Sequence, residues 1–128
     1  MLSHYDPDKT PNPQQWLALD EQMRIHWAEQ YHRAKRVKLP DVTAHAAIHV
    51  IIENQIAENL DPVVRAMARL AREGLSRHEC IHAIGSVLAE HIYGLSNASV
   101  DTEHSMPIYR AAVERLTAKS WRDGFGQM

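Results

Sequence analysis

Two pairs of histidines are spaced four residues apart: His45 and His49 in "HAAIHVIIE", and His78 and His82 in "HECIH". On an α-helix such residues project about 40° from one another, one turn along the axis, so each pair would present two imidazoles on one stripe. Neutral imidazole is a good donor to first-row transition metals. Glu53 continues the first pair by a further turn, where a carboxylate can act as a ligand or can orient a ligating ring through its outer N–H. The second pair also spells H-E-x-x-H, in which two histidines hold zinc and the glutamate serves as general base for hydrolysis.

The same residues have plainer readings. A buried imidazole is satisfied by a carboxylate, an amide, a tyrosine or a backbone group without any metal. Ser76-Arg77-His78-Glu79 is S-x-x-E at a helix start, a capping box in which Glu79 reaches back to the Ser76 N–H. It also sets a carboxylate at the positive end of the helix dipole. Glu79 is therefore read as a cap, and a hydrolase of the H-E-x-x-H kind ranks third, since no strand pattern is present to bind a peptide. Two pairs on facing helices, with Glu53, favour a metal over a metal-free histidine network. The expected ligands are His45, His49, His78 and His82, with Glu53 as ligand or orienter, and the expected ion is a divalent transition metal: zinc, iron or nickel. His32 follows Tyr31 on the buried side of the first helix and is a further participant to test. His26 and His91 read as edge or satisfied histidines, and His4 and His104 fall in loops.

Five helical segments can position these residues, which predicts an all-α fold, a compact bundle of about five helices. Residues 1–12 read as an extended arm. Asn12 is an N-cap and Pro13 a first helical residue for a helix carrying Trp16, Leu19, Met23, Trp27, Tyr31 and Ala34. That helix ends in the basic "RAKRVKLP" at Pro40. Asp41 or Thr43 opens the second, with Ile48, Ile52 and Ile56 as its apolar stripe beside His45 and His49. Asp61 as N-cap and Pro62 open the third, which buries Val63, Met67 and Leu70 or Ala71 and stops at Gly74. The fourth runs from Ser76 to about Tyr93, with Gly94 as its stop. Its stripe is Ile81, Leu88, Ile92 and Leu95, and Gly85 leaves space beside the His82 imidazole. "SNASVDTEHS" is a loop. The fifth runs from about Pro107 to Ser120 with Ile108, Ala112 and Leu116, and residues 121–128 are a frayed tail.

The 128 residues fit one helical domain, long enough to bury a core without metal or disulfide. A net charge of −2 gives no general attraction to nucleic acid, and the basic run "HRAKRVK" reads as a helix C-terminus favoured by its dipole. The single cysteine, Cys80, points to a reducing compartment, and the absence of any long apolar run points away from a membrane, so the expected location is the cytoplasm. Apolar faces on both sides of a short bundle would permit a homodimer. Nine histidines against five glycines raise the expectation of a metal or proton-handling site, but they also make chance pairs common.

The segments "LDEQMRIHWAEQYHRAK", "HAAIHVIIENQIA" and "DPVVRAMARLAREGLSRHECIHAIGSVLAEHI" together resemble a family of small bacterial helical proteins known only as a domain of unknown function. The resemblance covers residues 15 to 95 and falls on His45, His49, Glu53, His78, His82 and Glu90. It implies an all-α fold and no particular activity. At motif level the chain is also similar to hemerythrin-like bundles, whose di-iron sites use a lone His, then H-x-x-x-E, H-x-x-x-H and H-x-x-x-x-D. His32 or His26, His49 with Glu53, and His78 with His82 follow that order. The final element is absent, because neither His91 nor His104 has an Asp five residues on.

Overall fold

A computed structural model of the chain describes residues 4–34, 41–96 and 105–124. Among these residues there is no strand, and seven helices follow in order: α1 (Pro13–Ala18), α2 (Glu21–Ala34), α3 (Val42–Ala57), α4 (Asp61–Arg72), α5 (Arg77–Ser96), α6 (Ser105–Arg115) and α7 (Ala118–Gly124). The all-helical expectation is met, but the count is higher, because two expected helices are each broken. The basic run from Lys35 to Pro40 and most of the loop before α6 lie outside the described residues.

The first break falls at Leu19–Asp20. The Asp20 carboxylate accepts from the Gln22 N–H at 2.9 Å and so caps a new helix. Arg24 fixes the corner by donating to the Leu17 and Leu19 carbonyls at 2.9 and 2.8 Å. The new axis changes which face is buried. Trp16, Ala28 and His32 are inside, whereas Met23 is 43% exposed. The second break falls at Leu116–Thr117. Thr117 and Ser120 exchange side-chain and backbone hydrogen bonds at 3.0 Å, and the Glu73 carboxylate accepts the Ala118 N–H at 2.7 Å. Of the expected stripe, Leu116 is buried, but Ile108 and Ala112 give way to the residues that follow them. Tyr109, Val113 and Leu116 are buried and Ile108 is exposed.

Most of the helix ends obey the expected grammar. Asn12 and Asp41 cap α1 and α3 through their side chains. Helix α4 begins one residue earlier than expected: Leu60 is its N-cap and Asp61 lies in the first turn, where its charge suits the dipole. Gly74 adopts φ +100°, with the Leu75 N–H on the Leu70 carbonyl, a Schellman turn that needs a left-handed residue. Asn59, at φ 57°, closes α3 by the same device. Helix α5 does not stop at Gly94 but continues to Ser96, and Ile92 on its expected stripe is exposed. Trp121, Arg122, Asp123 and Gly124 of the expected frayed tail are helical.

Helix α3 is central. It packs against α1 and α2 on one side and α4 and α5 on the other. Being apolar around much of its circumference, it suits burial on several faces. Two apolar clusters result. One joins Ile52 to Val63, Leu70, Ile81, Ile84, Leu88, Tyr109 and Val113. The other joins Ala46 and Val50 to Tyr5, Trp16 and Ala28. The expected extended arm is therefore anchored at Tyr5, which is buried with this second cluster.

Candidate metal centre

The histidines meet where α2, α3 and α5 converge. One ring nitrogen each from His32, His49, His78 and His82 lies within 4.8 Å of all the others. The Nε2 atoms of His49 and His82 are 3.0 Å apart. Four donors around a zinc at about 2.0–2.1 Å would stand about 3.4 Å apart, so this pair is already near ligating separation. His45 joins the group at its edge, with ring centroids 4.5 Å from His32, 4.9 Å from His49 and 5.0 Å from His82.

The hydrogen bonds say which nitrogens face inward. His32 Nδ1 lies 2.6 Å from the Ala28 carbonyl, an acceptor, so it carries the proton and Nε2 carries the lone pair. That Nε2, and those of His45 and His78, are buried with no hydrogen-bond partner. The Tyr5 hydroxyl donates to Glu53 Oε2 at 2.7 Å and also contacts His49 Nδ1 at 3.1 Å. Arg77 grips both oxygens of Glu53, at 2.7 and 2.8 Å. Three buried imidazole nitrogens without a partner, two of them on residues of the four-histidine group and one on the adjoining His45, are costly unless a ligand satisfies them.

Burial, reinforced by the neighbouring rings, pushes His45 down to about 4 and His82 down to about 3. The same causes drive His49 further down. Burial also lowers His78, against the opposing pull of Asp8. These four imidazoles are neutral at pH 7, the form that ligates a metal. Burial and the Glu53 charge raise the Tyr5 phenol well above its usual range, so it stays protonated.

No family model, curated protein or solved structure matches this chain. The site is consequently read from its own geometry. Of the residues expected from the sequence, the structure brings His49, His78 and His82 together with His32, and His45 lies against them. Glu53 is buried beside His49, but its carboxylate is engaged by Arg77 and Tyr5, which is the arrangement of an orienter. Glu79 is exposed and completes the capping box: it accepts the Ser76 N–H at 2.9 Å, and its own N–H donates to Ser76 Oγ at 3.1 Å. Glu90 and His26 are exposed, and His91 pairs with Ser105 Oγ away from the cluster. His104 lies outside the described residues.

Gly85 does not make room for an imidazole. A Cβ there would sit 2.8 Å from Ile48 Cγ2, so the space that the glycine leaves is taken up by the close approach of α3 and α5. Sequence reasoning also passed over Tyr5 and Arg77. Arg77 had a signal: a carboxylate placed inside an apolar helix needs a counter-charge, and Arg77 precedes His78 on the facing helix. Tyr5 had none, because an irregular segment has no periodicity to read.

Proposed function

We propose that this protein binds a single divalent transition metal ion through His32, His49, His78 and His82, with His45 as an adjoining donor. The observation that carries this reading is a group of four histidines with ring nitrogens within 4.8 Å of one another, two of which, His32 and His78, have a buried Nε2 without a hydrogen-bond partner. A metal-free histidine network would be expected to pair those nitrogens with one another or with backbone groups. The donors are all imidazole nitrogens, which suits zinc, iron or nickel rather than calcium or magnesium. Four of them fill a tetrahedral zinc, as in structural sites. Iron or nickel would keep a further position for water or a small molecule.

The engagement of Glu79 in the helix cap argues against a hydrolase in which it would be the general base. The hemerythrin-like order of histidines is consistent with a metal held between helices. A carboxylate-bridged pair of irons, however, would have to take Glu53 from Arg77 and Tyr5. Cys80, buried and free, suits a reducing compartment such as the cytoplasm. No helix among the described residues is long and apolar enough to cross a membrane.

The test is elemental analysis of protein purified without a histidine tag, repeated with His49→Ala and His82→Ala. About one ion per chain in the parent and none in the variants is the expected result. A parent that is metal-free and takes up no zinc, iron or nickel on incubation would overturn the proposal.

A further inference from the structure

We propose that Tyr5, carried on the segment before α1, is a positioning residue for the metal: it holds His49 in the tautomer that presents Nε2 to the ion. The inference rests on the metal-binding reading of the histidine cluster.

The argument is one of proton counting. Tyr5 has a single hydroxyl proton and two polar neighbours, Glu53 Oε2 at 2.7 Å and His49 Nδ1 at 3.1 Å. A carboxylate only accepts, so the proton goes to Glu53. The contact with His49 is then favourable only if Nδ1–H donates to the tyrosine oxygen. With Nδ1 protonated and the ring neutral, the lone pair is on Nε2, the atom 3.0 Å from His82 Nε2. In metal-free protein that lone pair accepts a proton from His82, and a metal would take its place. Without the hydroxyl, Nδ1 loses this acceptor and the Nε2–H tautomer, which cannot ligate through Nε2, becomes accessible. Glu53 is held by both Arg77 nitrogens, so the chain runs Arg77–Glu53–Tyr5–His49 with each member fixed by the one before.

The same residues fasten the segment over the cluster. Arg77 Nη1 donates to the Pro7 carbonyl at 2.8 Å, and the His78 N–H, an otherwise free donor in the first turn of α5, donates to Asp8 Oδ1 at 3.1 Å. The Tyr5 ring packs against Trp16 and Tyr31, with centroids 5.6 and 6.2 Å away. Tyr31 in turn stands edge-on to His32 and His78. Seating of the segment and geometry of the site are thus one event: the groups that tie Pro7 and Asp8 down are Arg77 and the backbone of a ligand.

The experiment uses the full chain and zinc as probe. Tyr5→Phe keeps the ring and removes the hydroxyl. Competition against a chromophoric chelator should show zinc bound about 10–100-fold more weakly than in the parent. Nitrogen-15 shifts of the His49 ring in zinc-free protein should show Nδ1–H in the parent and loss of that preference in Tyr5→Phe, a change that a merely structural role would not produce. Asp8→Ala, which loosens the segment but leaves the hydroxyl, should surrender zinc faster to excess chelator. Unchanged zinc affinity together with an unchanged Nδ1–H tautomer in Tyr5→Phe would overturn the proposal. If the parent binds no zinc at all, the metal reading fails on its own, and an Nε2–H His49 in the parent would separately overturn the role given to Tyr5.

Discussion

The Glu53 carboxylate is buried, and Arg77, with which it forms a salt bridge at 2.7 Å, has a side chain only 14% exposed. Burial opposes the Arg77 charge, but the hydrogen bonds and charge of Glu53 outweigh it and raise the Arg77 pKa. Each residue is therefore the other's main justification. Glu53→Ala should lower stability by about 3 kcal/mol, because it leaves a guanidinium largely buried and unpaired. Urea denaturation measures this. Replacing Arg77 by Leu in the same chain should recover part of the loss, and additive losses in the double variant would contradict the pairing. At this scale the sequence was legible where spacing speaks. His49, His78 and His82 are named by their i,i+4 pattern, and Glu79 by S-x-x-E. That His32 rather than His45 completes the group of four depends on how α2 rolls against α3, and no spacing within one helix records that.

Helices α3 and α5 approach closely at one point, where Gly85 faces Ile48. Ile48 precedes His49, and Gly85 lies three residues beyond His82, so this contact sets the distance across which the two imidazoles face each other. Alanine at position 85 would gain about 1 kcal/mol of helix propensity. It would also press on a β-branched side chain that has little freedom to turn away. Overpacking of this kind costs about 1–3 kcal/mol. Gly85→Ala should therefore be neutral to destabilising by about 2 kcal/mol in urea, and it should weaken metal binding more than it weakens the fold. Stability gained with metal affinity unchanged would show that the approach is not needed. The helices themselves were largely legible from caps and periodicity. The breaks at Asp20 and Thr117 were not, because Trp16 to Ala34 and Ile108 to Leu116 each carry residues at spacings that an unbroken helix would also use. Arg24 and Glu73, which settle the two corners, act on backbone groups distant from any pattern in their own helices.

The molecule keeps His45, His49, His78 and His82 neutral, and that sets its response to acid. An unfolded chain begins to protonate its histidines near pH 6.5, whereas the folded chain refuses protons at His45 until about 4 and at His82 until about 3. The unfolded state therefore binds more protons in this interval, and stability falls as the pH falls. In metal-free protein the thermal midpoint should be level above pH 7 and should decline from about 6.5 downward, less steeply in His45→Gln. A midpoint that rises on acidification would refute this. The location of the cluster has a further, mechanical side. Its members come from α2, α3 and α5, at the seam between two apolar clusters, so an ion there would be a cross-link. Like a disulfide, it would close a loop of about fifty residues between His32 and His82 and remove the freedom of that loop from the open states of the chain. Helix α2, which touches the rest mainly through α3, would then cease to open on its own. Amide hydrogen exchange should accordingly slow in α2 on adding the metal, and change little in α4 and α6, which hold one another without it.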